Sequence, residues 1–149
     1  MNLVRITKTF HFEMAHALHG YDGKCAQIHG HSYKLHVTIT GKPNMEEGNP
    51  KLGMVIDFAD LKRIVSEQII SKLDHAVLLS KHSGKVSADT TELLQNIVYV
   101  DYQPTCENMV IDMAAKLQNE LPINVKLHSV KLEETASSYA EWFASDNLI

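Results

Sequence analysis

Between Leu3 and His16, apolar and polar residues alternate. Val4, Ile6, Phe10, Phe12, Met14 and His16 hold even positions, with Arg5, Thr7, Thr9, His11 and Glu13 between them. A period of two marks a strand with one buried face and puts His16 on the apolar side. The same pattern resumes at His29, where Tyr33, Leu35, Val37 and Ile39 alternate with polar partners and share the parity of His29 and His31. Paired as an antiparallel hairpin, the two strands bring His16, His29 and His31 together beside the connecting loop 17–28, which carries Cys25.

Further along, the period changes. Residues 41–50 read as turn and loop, and Gly53, Met54, Val55 and Ile56 as a short extended run. Asp57 then serves as N-cap of an amphipathic helix with Leu61, Ile64, Val65, Ile69 and Leu73 on its apolar face, ending at Asp74-His75. Residues 80–96 read as a polar excursion with some helix around Glu92, Leu93 and Leu94, followed by a strand over 97–102. Thr105 caps a second helix, with Glu107 in its first turn and Met109, Val110, Met113, Ala114 and Leu117 on one face; Pro122 marks its end. Residues 124–134 alternate again, with His128, Val130, Leu132 and Glu134 on the apolar parity and Ser129, Lys131 and Glu133 on the wet one. Residues 138–143 form the last strand. Hairpin, helices, hairpin predicts an α+β fold, a two-layer antiparallel sheet with two helices on one face.

Composition narrows the functional classes. The 149 residues suit one domain with a full core, and 44% hydrophobic against 21% charged residues is globular. No apolar run approaches the roughly 20 residues of a membrane span, and the N-terminus carries no apolar signal core, so no membrane role and a cytoplasmic location are expected. Two cysteines give no disulfide framework. A net charge of −4 with scattered Lys and Arg argues against a nucleic-acid partner. Histidine is the anomaly: six of nine fall between His11 and His36.

Three neutral imidazoles on one face form the open site typical of catalytic zinc, with a fourth position left for water or substrate. Cys25 beside them is either a fourth ligand that closes a structural site or a thiol whose pKa a nearby cation lowers, making a base or nucleophile. Asp74-His75 at a helix end reads, on the dipeptide alone, as a cap and a solvated histidine, acting through a network rather than by direct contact. Glu134, an acid on an apolar face, is a paired core carboxylate or an anchor that accepts two parallel bonds from an amidine-like N–H edge, as in a 2-amino-4-oxo pteridine or guanine. Cys106 reads as a helix N-terminal residue, and His11, His36 and His82 as surface.

These residues carry a resemblance. Phe12-Glu-Met-Ala-His16, Cys25-Ala-Gln-Ile-His29-Gly-His31, Gly53-Met-Val-Ile-Asp57-Phe58, Leu73-Asp74-His75, Pro104-Thr105-Cys106-Glu107-Asn108 and Glu134-Thr135 follow one another in the order and spacing of the 6-pyruvoyl-tetrahydropterin synthase and 6-carboxytetrahydropterin synthase family, which the chain resembles nearly end to end. The resemblance implies that His16, His29 and His31 bind catalytic Zn2+, and that Cys25, Asp74 and His75 form the proton-transfer set. It makes Glu134 the pterin anchor, with Thr105 and Glu107 near the pterin pocket. The implied fold is the tunnelling fold, whose subunits join their sheets into an oligomeric β-barrel, commonly a homohexamer of two trimers with sites between subunits.

The implied substrate is 7,8-dihydroneopterin triphosphate, with zinc acting as Lewis acid on its side-chain hydroxyls. One branch cleaves the side chain and releases acetaldehyde and triphosphate, giving 6-carboxy-5,6,7,8-tetrahydropterin for queuosine biosynthesis. The alternative branch eliminates triphosphate and gives the pyruvoyl product. A non-catalytic zinc or pterin-binding module is the alternative of a different class. Members diverted to the folate pathway tend to carry glutamate where Cys25 stands. The segment 80–96 is longer than the compact family loop, Ala76-Val77 follows Asp74-His75 where a basic residue is common, and Glu133 precedes Glu134 where an aromatic is common.

Overall fold

The computed structural model describes residues 2–86 and 92–147. Strand β1 (Val4–His16) and strand β2 (His29–Gly41) pair antiparallel along their whole length, with Phe10 opposite Leu35, Phe12 opposite Tyr33 and His16 opposite His29. Alternation sends Phe10, Phe12, Met14, Tyr33, Leu35, Val37 and Ile39 into the core. Strand β3 (Ala76–Ser80) lies beside β1, β4 (Ile97–Val100) beside β3, β5 (Val125–Thr135) beside β2, and β6 (Ser138–Phe143) at the far edge. The six-stranded sheet runs β4-β3-β1-β2-β5-β6; its four long strands are antiparallel, and β3 and β4 extend it by parallel pairing.

Helix α1 (Phe58–Val65) starts where expected, because Asp57 Oδ1 accepts the Ala59 N–H at 2.8 Å. It passes through a π-helical turn (Ser66–Ile70) into the short α2 (Ser71–Leu73). The extra residue of that turn rotates the downstream face, so that Ile69 and Leu73, rather than Gln68 and Lys72, reach the core beside Leu61, Ile64 and Val65. Helix α3 (Cys106–Glu120) is capped by Thr105, whose hydroxyl accepts the Asn108 N–H, and buries Met109, Val110, Met113, Ala114 and Leu117. Both helical segments pack on the apolar face of the sheet, where one continuous core forms.

Four readings of the sequence change. Gly53–Ile56 is no ladder strand; Gly53 N and Met54 O instead bond to Asn44 O and Asn44 N. The run after His75 is strand β3, all five residues buried, and a short continuous apolar run carries no alternation to reveal it. Residues 92–93 form a turn rather than a helix, and 87–91 of that excursion lie outside the described residues. His128 leaves the core face, because β5 carries a bulge there: Thr38 is opposite Ser129 while Ile39 is opposite Leu127. Parity therefore switches within β5, from Val125 and Leu127 to Val130 and Leu132.

Truncation of Leu61, fully buried between the helix and the sheet, tests the two-layer core. Leu61→Ala is expected to cost about 3 kcal/mol in a denaturant titration.

Candidate metal centre and adjoining cleft

His16 ends β1 and His29 begins β2, so the strand register sets the two residues opposite each other, their ring centroids 4.5 Å apart and tilted by 54°, with His31 one side-chain repeat further along. His16 Nδ1 lies 2.7 Å from the Pro104 carbonyl oxygen and His29 Nδ1 lies 2.8 Å from that of Gln27. A carbonyl only accepts, so in both rings Nδ1 carries the proton and Nε2 presents a bare lone pair. Those two Nε2 atoms face each other at 3.0 Å. His31 Nε2 is buried and without a hydrogen-bond partner. Burial lowers the His16 pKa, so the ring stays neutral rather than relieving the contact by taking a second proton.

The two lone pairs thus converge with the unpartnered Nε2 of His31, the ligand atoms of the three rings all within 4.8 Å of one another. The arrangement is repulsive until a cation sits among them, and three imidazole nitrogens suit zinc. Cys25 does not belong to this converging group, which disfavours the closed four-ligand site. Glu134 borders it, with Oε2 3.9 Å from His16 Nε2 and Oε1 3.7 Å from His31 Nε2. Its side chain is re-aimed by a second irregularity of β5, where Glu133 is opposite Tyr139 and Thr135 opposite Ser138, leaving Glu134 extra.

A cleft of about 550 Å³ opens beside the imidazoles. His16, Cys25, Thr105, Glu107 and Glu134 line it together, though they come from four separate segments of the chain. Cys106 lines it too; its thiol donates to the Leu132 carbonyl at 3.2 Å, and burial pushes its pKa up to about 11, so it stays protonated. Glu141 of β6 also reaches the cleft, a carboxylate that the sequence did not single out. The two carbonyls that orient the rings were likewise missed, and main-chain groups leave no residue signature.

Asp74 and His75 lie elsewhere. His75, Glu13, Ser32 and His31 border a separate, shallower hollow of about 380 Å³. Contrary to the sequence reading, the pair is in direct contact, Asp74 Oδ1 to His75 Nδ1 at 3.0 Å. His75 has a positive φ of 62°, which folds its ring back toward its neighbour. Glu13 clamps this turn from both sides: its N–H donates to Asp74 Oδ1 at 3.0 Å, and its carbonyl accepts the His75 N–H at 2.6 Å. His36 is no idle surface residue either. It bridges Thr9 and Glu133, and holds the Glu133 carboxyl below the usual range.

Known proteins resemble this chain nearly end to end. The profile of the 6-pyruvoyl tetrahydropterin synthase family matches residues 5–145. A 6-carboxy-5,6,7,8-tetrahydropterin synthase from Haemophilus influenzae is 36% identical over 144 residues, covering 94% of this chain and 99% of the relative. One of the same name from Synechocystis is 33% identical over 140 residues, covering 93% and 92%. Among solved structures, the Caenorhabditis elegans 6-pyruvoyl tetrahydropterin synthase superposes with a TM-score of 0.69 at 26% identity, covering 97% of both chains. An uncharacterised Wolinella succinogenes protein gives 0.75 at 22% identity, covering 97% and 99%, and shares the fold.

Replacing His29 with alanine removes one converging lone pair, and zinc affinity measured by calorimetric titration is expected to fall by more than about tenfold. For the metal-free protein the sign of the His16 shift sets the pH response. A histidine held neutral in the fold takes up its proton on unfolding, so stability is present above about pH 6.5 and declines below it. Melting temperatures measured across that range should fall with acid less steeply in His16→Gln.

Proposed function

The chain belongs to the 6-pyruvoyl tetrahydropterin synthase family, and on that premise we propose that it is a zinc-dependent 6-carboxytetrahydropterin synthase. It converts 7,8-dihydroneopterin triphosphate and water into 6-carboxy-5,6,7,8-tetrahydropterin, acetaldehyde and triphosphate, in queuosine biosynthesis. The observation that carries this reading is the convergence of three imidazoles, with His16 among them on the wall of a cleft that also holds Cys25, Thr105, Glu107 and Glu134. Relatives that match over nearly their whole length bear the carboxy-forming name, which favours that product over the pyruvoyl one.

The chain's own residues divide the work. Glu134 accepts the paired N–H edge of the pterin in a bidentate contact, and Thr105 and Glu107 flank the ring from the start of α3. Cys25, as thiolate, takes a proton from the ligand's side chain. His75, oriented by Asp74, exchanges a proton with a side-chain hydroxyl. Zinc held by His16, His29 and His31 supplies Lewis acidity at the side-chain oxygens.

His75, in contact with Asp74, borders a different hollow from Cys25, and its side chain is 78% exposed. That separation supports an assembly in which the pair completes the cleft of a neighbouring copy, a homohexamer built as two trimers. The sheet edges β4 and β6, unpaired among the described residues, are where such copies would join into a barrel. No helix among the described residues is long and apolar enough to cross a membrane. Both cysteines are free, which suits the reducing cytoplasm.

The zinc-loaded protein incubated with dihydroneopterin triphosphate is expected to give a carboxypterin by mass analysis and an equal amount of acetaldehyde. A pyruvoyl product without acetaldehyde would move the chain to the sister activity, and bound zinc with no turnover would leave a binding module. Cys25→Ala should keep zinc and oligomer yet lose at least about 100-fold in turnover; loss of zinc or of folding instead would refute its proton-transfer role.

A further inference from the structure

One polar atom beside the metal centre serves none of these roles. Tyr33 lies two residues beyond His31 on the same face of β2, is 0% exposed, and its hydroxyl has no hydrogen-bond partner. The ring is wedged in place. It stacks on Phe12 with centroids 5.1 Å apart and planes 11° from parallel, and stands edge-on to His31 at 5.5 Å and His16 at 6.2 Å. The hydroxyl therefore cannot swing away to find a partner elsewhere in the core.

A buried hydroxyl left unpaired is a net cost, and phenylalanine would give the same stack without it. Strand pairing shows what the hydroxyl faces. Lys34 is opposite Glu133, so Tyr33 and Glu134 are neighbours on the core face of β2 and β5. Of the other polar groups beside the ring, the Cys106 thiol is already committed to the Leu132 carbonyl, and the imidazoles of His16 and His31 belong to the metal cluster. Glu134 stays beyond direct hydrogen-bond reach of the tyrosine. A buried donor without a direct partner, beside a carboxylate on the neighbouring strand, is satisfied by a bridging water.

We propose that Tyr33 is a positioning residue for Glu134. Its hydroxyl donates through one ordered water to the Glu134 carboxylate, and so holds that carboxylate in the orientation in which it accepts the ligand's N–H edge. This rests on the reading of Glu134 as pterin anchor.

The test is a double-mutant cycle of Tyr33→Phe and Glu134→Gln in the zinc-loaded protein. It is read by zinc content and by the affinity for 2-amino-4-oxopteridine, followed by the pterin's own fluorescence so that no turnover is needed. Tyr33→Phe is expected to keep full zinc and weaken pterin binding about tenfold, and to have no further effect once Glu134→Gln is present. If Glu134→Gln weakens binding and Tyr33→Phe does not, the proposal is overturned and the anchor reading stands. If Glu134→Gln leaves binding unchanged, the anchor reading fails and the proposal falls with it. A Tyr33→Phe effect that persists in the Glu134→Gln background, or a loss of zinc, would also overturn it, since the hydroxyl would then act elsewhere. Refinement of a crystal structure should show the bridging water in the parent protein and its loss in Tyr33→Phe.

Discussion

The pairing register of β1 against β2, with Phe12 opposite Tyr33 and His16 opposite His29, is the constraint on which the remaining structure depends. Side chains alternate along a strand, so a slip of one residue would send His16 to the wet face and dissolve the triad of imidazoles. Both faces of the hairpin enforce the same register. Phe10, Phe12 and Met14 mesh with Leu35 and Tyr33 on the buried side. Thr7 bonds Thr38, Thr9 bonds His36 and Glu13 bonds Ser32 on the other, each with a partner at its own pairing position or its ring nitrogen. Apolar packing and polar cross-strand bonds that agree in this way leave few alternative pairings of comparable stability.

Much of this was legible because it is written in periods. Alternation located both strands of the first hairpin and put three histidines on one face, and the capping residues Asp57 and Thr105 marked the helix starts to the residue. What escaped has no period of its own. Strand β3 is five buried residues in a row, indistinguishable in sequence from a piece of core helix. The π turn inside the first helical segment was hidden because Leu61, Ile64, Val65, Ile69 and Leu73 look helical whether or not a residue is added between them. The parity argument for residues 124–134 reached the right face for Glu134 but not for His128, since a bulge leaves local alternation intact and only breaks its phase.

The candidate site divides in a similar way. Residue types and spacing brought out His16, His29, His31, Cys25 and Glu134; the fold gathers the three imidazoles in one cluster, and His16, Cys25 and Glu134 in the cleft beside it. The proximity of Asp74 to His75 was misjudged because it depends on a backbone conformation. A non-glycine residue at φ 62° costs about 1–2 kcal/mol, which the two hydrogen bonds of the Glu13 main chain to this turn help to offset. The orientation of the metal-site rings rests on main-chain carbonyls of Pro104 and Gln27, whose positions follow from the completed fold rather than from any side chain.

The bulge at His128 has a bearing on how this chain can change over time. Residues 42–56 line neither the cleft nor the imidazole cluster, and this loop can gain or lose residues with little disturbance to either. Within β5 a change of length acts on parity. The bulge already absorbs one extra residue, so loss of His128 would leave Val125, Leu127, Val130, Leu132 and Glu134 in a single alternation, every face kept. A residue lost between Val130 and Glu134 would instead turn Glu134 to the wet face. In a lineage drifting in sequence, changes of length in β5 should collect at His128 and be excluded on either side of it.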